Sequence, residues 1–305
     1  MFRAILKRVA PIPRLENYER YLFIGPHPDD IEVACAPTVK ALTSKGKHVS
    51  FVILTDGCMG AIDPALFGGE LVAIRQKEAL ASAAVLGVTD VTFLPFHDGA
   101  MYPMEDAAVA LAKEIVRLKP DIVFAPDPNV VSECHMDHIK TGLAAKMSMN
   151  MAPFASVMQS VGGAGSHSVS GLAFYYTDRP NSYVRVKKTF SARREALLCH
   201  KSQFDEKTVG DVAMYFKLRS VRFGLRTCQR QFHAQIAPAP LFLQHHEILT
   251  HAVHASGIFL DDLSPHPSDR IPFHFHAAGG GQRPSRRTFP SQRHGLQAKP
   301  VAGTL

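Results

Sequence analysis

The amino-acid sequence predicts an α/β fold: a doubly wound, mostly parallel sheet with helices on both faces. Three observations carry this. Short runs that are apolar throughout recur along the first half, a stretch of helical spacing follows each, and glycine or proline punctuates the junctions. Uniformly apolar runs suit strands buried on both faces, and strands separated by helices of about ten or more residues pair in parallel through right-handed crossovers.

The elements follow in order. Tyr21–Ile24 is a strand ending at Gly25, and Ile31–Leu42 carries helical spacing, which completes a first βα unit. Val49–Leu54 is a buried strand, and Leu71–Leu86 is a helix closed by Gly87. Val91–Leu94 is a strand, Ala107–Leu118 a helix stopped by Pro120, and Ile122–Ala125 a strand leading into a proline-rich loop. A helix over Ile139–Lys146 comes next, and the Ser/Gly-rich stretch from Met151 to Gly171 reads as a mobile loop. Leu172–Tyr176 and Tyr183–Val186 are further strands, followed by helices near Lys188–His200 and Val209–Arg226. The sum is a Rossmann-like domain over residues 1–230, without internal repeats.

From about Gln231 the character changes. The stretch 231–305 holds nine of the sixteen histidines and eight of the twenty-one prolines, with a single lysine and no tyrosine. It reads as an irregular tail, with a short helix around His245–His254 as its one periodic segment. The lone His274-Phe275-His276 spacing does not make a metal site.

Bulk composition sets bounds. The 305 residues are 46% hydrophobic and 20% charged, as in an ordinary globular protein. The net charge of +7 comes without dense Lys/Arg runs, and there is no Trp to stack on bases, which excludes nucleic acid as the expected partner. Five scattered cysteines without a CxxC pair argue against a disulfide framework and point to a reducing compartment. No stretch approaches the ~20 apolar residues of a membrane span or the apolar run of a signal peptide, so a cytoplasmic location is expected.

The chemistry lies in two clusters, His27-Pro28-Asp29-Asp30 after the first strand and His135-Met136-Asp137-His138 after the fourth. Read singly, Asp29 or Asp30 caps the following helix, and Asp137 caps the helix after the second cluster. Read together they hold too many ligands for caps: adjacent carboxylates beside imidazoles repel unless a cation is present, and imidazole plus carboxylate is a divalent-ion ligand set. In a parallel sheet both clusters fall at strand carboxyl ends, on one rim. A dinucleotide site is the commoner use of that rim, but GxGxxG is absent and the carboxylates in the turn would repel a phosphate.

The sequence resembles the PIG-L/LmbE-like family of metal-dependent N-acetylglucosaminyl deacetylases, whose motifs are AHPDDxE and HPDH. The matching stretches are PHPDDIEVACAPTV at 26–39, LTDG at 54–57, RQKEALASAAVLGV at 75–88, KPDIVFAP at 119–126, CHMDH at 134–138 and KSQF at 201–204. Within the family it is most similar to deacetylases of bacillithiol-type thiol biosynthesis. The resemblance implies His27, Asp30 and His138 as metal ligands, with Zn2+ the expected ion and Fe2+ the alternative. It also implies Asp29 as general base, His135 as oxyanion partner and Asp137 as the residue orienting a histidine.

Arg75, which opens the RQKEA stretch, and Asp98, after the third strand, are the candidate substrate contacts. A surface-helix arginine and a plain turn residue are their competing readings. Pro26 and Met136 replace the family's Ala and Pro without touching a ligand, and Val130–Cys134 replaces the usual loop before HPDH. Cys134 beside His135 is expected to be a buried structural thiol.

The expected activity is hydrolytic removal of an acetyl group from an N-acetylated amino sugar, a small-molecule partner, with homo-oligomerisation left open. An amidase acting on another acyl group or a thiol conjugate, and a non-catalytic metal-binding protein, are the competing readings.

Overall fold

A computed structural model describes residues 14–60, 64–66, 68–227 and 231–238. The parallel core matches the expected architecture. Strands β1 (Arg20–Gly25), β2 (His48–Thr55), β3 (Asp90–Phe96), β4 (Ile122–Pro126) and β5 (Gly171–Tyr175) alternate with helices α1 (Asp30–Thr43), α2 (Gly69–Leu86), α3 (Met104–Leu118) and α4 (Met136–Met151). They lie in the order β3-β2-β1-β4-β5, all parallel. The order turns back on itself between β1 and β4, and that is where an open α/β sheet leaves a crevice at its carboxyl edge.

Alternation within the apolar strands explains the two layers. Tyr21 and Phe23 of β1, with Phe51, Phe124 and Tyr175, face α1, α2 and α6 (Ala192–Leu197). Leu22 and Ile24, with Val52, Val123 and Phe174, face α3, α4 and α5 (Ala155–Ser160). Phe23 and Phe124 stack across the β1–β4 pair with ring centroids 4.2 Å apart, which fixes the register beneath the crevice.

Pro37 sits inside α1 and offers no N–H to the carbonyl of Val33. The buried Arg193 of α6 satisfies it instead, donating from Nε to Val33 O at 2.9 Å and from Nη2 to Ala34 O at 3.3 Å.

Three expectations are corrected. The stretch 151–171 is not simply a loop: α4 runs on to Met151, and Phe154, Met158 and Val161 recur at helical spacing, with Met158 of α5 fully buried under the α3–α4 layer. The helix expected over Lys188–His200 is a 3-10 turn, Lys187–Thr189, followed by the shorter α6. The change at Gln231 is not a change to irregular chain. Residues Gln231–Pro238 form β7, inserted antiparallel between β5 and β6 (Ser182–Arg185), after the long helix α7 (Glu206–Thr227). Residues 239–305, with the helix expected at His245–His254 and the His274–His276 pair, lie outside the described residues.

Gly142 of α4 packs against the end of β4, where an added Cβ would lie 2.5 Å from the Pro126 carbonyl oxygen and 2.8 Å from Pro128 Cδ. Gly142→Ala is therefore expected to destabilise by about 1–3 kcal/mol, because backbone cannot yield as a flexible side chain does. Gly210, exposed inside α7 with nothing within 4 Å, is the matched control: Gly210→Ala should stabilise by roughly 0.5–1 kcal/mol. Urea-unfolding midpoints of the two variants check the pair.

Candidate active site

The β1–α1 connection is held from both sides. Thr55 donates its N–H and its hydroxyl to the Pro26 carbonyl at 2.9 and 2.8 Å, which ties the loop to the end of β2. Asp30 then opens α1, and its Oδ2 accepts the His27 N–H at 3.0 Å and lies 2.9 Å from His27 Nδ1. Between them Asp29 has φ 150°, a region that costs roughly 1–3 kcal/mol for a residue with a Cβ and is kept where surroundings enforce it. Here Arg75 enforces it. The guanidinium is buried, donating from Nη1 to Gly57 O at 2.7 Å and from Nη2 to Pro28 O at 3.2 Å and Asp29 Oδ2 at 3.1 Å.

The β4–α4 connection brings the second cluster over the first. His138 Nε2 is 3.3 Å from Asp30 Oδ1, and the three rings of His27, His135 and His138 lie with centroids 4.7–5.6 Å apart. His135, not Asp137, occupies the cap position of α4 and is half exposed. Asp137 is buried, and its two oxygens accept the N–H groups of Gly99 and Ala100, both at 3.0 Å. Its Oδ2 is also 3.5 Å from His27 Nε2 and 3.8 Å from His135 Nδ1. The eight expected site residues thus share one rim.

Arg75 and Asp98, expected to contact substrate, are both buried against other site residues. Asp98 Oδ1 is 3.1 Å from His27 Nε2, and its Oδ2 accepts the Met59 N–H at 3.2 Å. Two neighbours were not anticipated. Glu133 takes His138 Nδ1 at 3.0 Å and the His135 N–H at 2.8 Å. Tyr176, held at φ 60°, stacks on His138 at 5.9 Å and donates its hydroxyl to Asp30 O at 3.4 Å. Cys134, expected to be buried, is exposed.

The electrostatics are those of a site short of positive charge. Burial disfavours the charged form of His27, yet Asp137, Asp30 and Asp98 together raise its pKa well above the ordinary value. Burial is likewise outweighed at His138, which Asp30 and Glu133 lift to about 9. Asp30 is held well below the carboxylate range, as His138 and His27 overcome its burial. Asp29 goes the other way: burial, with Asp30 beside it, pushes it up to about 6 against the pull of Arg75. His135 is lowered by burial and by the neighbouring imidazoles.

Ligand atoms of His27, Asp30 and His138 lie within 4.8 Å of one another, as do those of His27, His135 and Asp137. His27 Nε2 is buried and makes no hydrogen bond, although Asp98 lies close. Imidazole and carboxylate donors crowded at these distances, with Asp137, Asp30 and Asp98 all drawn to His27, fit a divalent ion.

A doubly wound sheet with this ligand set in its crevice defines an α/β protein with a candidate metal centre. Residues 22–149 match the family described as GlcNAc-PI de-N-acetylase, PIG-L. The chain is 33% identical over 192 residues to the diacetylchitobiose deacetylase of Thermococcus kodakarensis, covering 62% of this chain and 72% of that protein. It is 28% identical over 201 residues to the probable N-acetyl-alpha-D-glucosaminyl L-malate deacetylase 2 of Bacillus anthracis, covering 63% and 85%. Among solved structures, N,N'-diacetylchitobiose deacetylase from Pyrococcus horikoshii matches with a TM-score of 0.72 at 31% identity, over 79% of this chain and 92% of that one. The chain belongs to the PIG-L family of deacetylases. Among the described residues no helix is long and apolar enough to cross a membrane.

Proposed function

We propose that the protein is a metal-dependent hydrolase that removes the acetyl group from an N-acetylglucosamine-type amino sugar or glycoside, releasing acetate and a free amine. The observation that carries this is the convergence of His27, Asp30 and His138 beside a strained, arginine-tethered carboxylate, Asp29, in a chain whose relatives are named as deacetylases of such compounds. His27, Asp30 and His138 would hold the ion, with zinc favoured by the histidine-rich donor set and Fe2+ the alternative. When bound, the ion supplies a Lewis acid and makes water acidic enough to be deprotonated near neutral pH.

The chain's own residues do the rest. Asp29 accepts the proton of the attacking water, since burial keeps its carboxyl nearer neutral than an ordinary aspartate and Arg75 fixes its direction. Arg75 is a positioning residue in this scheme. His135, half exposed at the lip, donates to the carbonyl oxygen of the acetamide as negative charge develops there. Asp137 orients His135 and ties α4 to the 97–100 loop, while Asp98 buttresses His27.

The test is direct: zinc-loaded full-length protein is incubated with N,N'-diacetylchitobiose and with N-acetylglucosaminyl glycosides. Equimolar acetate and primary amine are expected. No amine from any N-acetylated amino sugar, with metal bound, would overturn the reading.

A further inference from the structure

Beside the His27 centre, the loops following β2 and β3 gather a second group, Asp56, Cys58 and His97, with one ligand atom of each within 4.8 Å of the others. Cys58 Sγ is 3.6 Å from both ring nitrogens of His97, and Nδ1 of that ring is 3.1 Å from Asp56 Oδ2. Zinc bonds of about 2.3 Å to sulfur and about 2.0–2.1 Å to nitrogen and oxygen give tetrahedral edges of about 3.6 Å for S···N and about 3.4 Å for N···O. The first spacing matches its edge, and the second is a small carboxylate rotation short of it.

The carboxylate is already oriented from behind. Asp56 Oδ1 accepts the N–H groups of Cys58 and Asp98, both at 3.1 Å, which leaves Oδ2 turned to His97. Cys58 is buried, whereas His97 exposes 64% of its side chain, so the group opens to solvent on the imidazole side, where water can complete a shell. Thiolate, imidazole and carboxylate together select a borderline-soft ion over magnesium or calcium.

We infer that Asp56, Cys58 and His97 form a second metal site, for zinc or a similar thiophilic divalent ion, separate from the His27–Asp30–His138 group. Burial, with Asp56 beside it, pushes the Cys58 thiol up to about 11, so an ion entering here displaces the thiol proton and uptake strengthens as pH rises.

The experiment is a Co2+ titration of the metal-free full-length protein at mildly alkaline pH, reading near-ultraviolet absorption and metal per chain. A thiolate ligand gives an intense sulfur-to-cobalt charge-transfer band that histidine and carboxylate ligands do not, so the band reports a cysteine-bearing site. It is expected to saturate once about two cobalt ions per chain are bound, because the His27–Asp30–His138 group fills without giving the band, to vanish in Cys58→Ser, and to need at least roughly ten-fold more cobalt in His97→Ala, whose side chain leaves no core void. It should persist in Cys134→Ser, which removes the exposed thiol beside His135, and in Asp30→Ala, which removes a ligand of the first group; that last arm makes the result independent of the proposed deacetylase centre. No band in the unaltered protein, or a band that survives Cys58→Ser, overturns the site.

Discussion

Asparagine in place of Asp29 is expected to lower kcat by about 100- to 10,000-fold while leaving the metal bound, the range a positioned general base contributes. The substitution changes little else. Asn keeps the shape of Asp, tolerates positive φ as well as Asp does, and still presents an oxygen to Arg75 Nη2, 3.1 Å from the present carboxylate. What it removes is the negative charge and the capacity to take a proton. Asp29 belongs to neither of the site's candidate ligand groups, so metal content per chain should match that of the unaltered protein. Steady-state kinetics paired with metal analysis decide it. Undiminished turnover would remove Asp29 as the base, and loss of metal along with activity would make it a ligand instead.

How much of the fold and of the site is legible in the sequence depends on the range of the signal. The parallel core was readable because β1, β2 and β4 are buried on both faces, which leaves apolar runs that no surface strand needs. The two clusters were readable because each is local, four residues at the end of a strand, and parallel topology brings such ends to one rim. Glu133 and Tyr176 were not. Glu133 is one carboxylate in an irregular stretch, marked only by its final distance to His138, and Tyr176 reads as the last residue of a strand, because nothing local announces φ 60°. Arg75 and Asp98 were located but their surroundings were not: burial turns both inward, to Asp29 and to His27.

The strand β7 was missed for a different reason. Its sequence, Gln231-Phe232-His233-Ala234-Gln235-Ile236, alternates polar and apolar with the period of a strand, but the histidine- and proline-rich composition around it outweighed a six-residue signal. Antiparallel insertion between β5 and β6 lies beyond any local pattern, since the partner strands are separated from it by α7 and more.

Metal uptake by the metal-free protein is expected to expel protons, and this is the most direct test of which imidazoles hold the ion. Without metal, Asp30 and Glu133 keep His138 protonated up to about pH 9, and three carboxylates hold His27 well above the ordinary histidine value. A ligating imidazole must be neutral, so at pH 7 binding should release about two protons per ion, and apparent affinity should rise roughly ten-fold per pH unit for each proton displaced. The dependence flattens as pH passes through about 9, where His138 has already lost its proton.

Stability runs the opposite way in the metal-free protein. A histidine whose folded-state pKa is raised contributes stability that is complete below its ordinary pKa and lost as pH climbs through the folded value. The melting temperature of the metal-free protein should therefore fall between about pH 6.5 and pH 9, while the gap to the metal-loaded protein widens. Calorimetric titration in buffers of differing ionisation enthalpy counts the protons. His27→Ala, Asp30→Ala and His138→Ala should each abolish uptake at this group and the proton release that goes with it, leaving only binding at Asp56, Cys58 and His97. Tight binding without proton release, or unimpaired binding in these variants, would place the ion away from His27 and His138 and with it the proposed chemistry of the crevice.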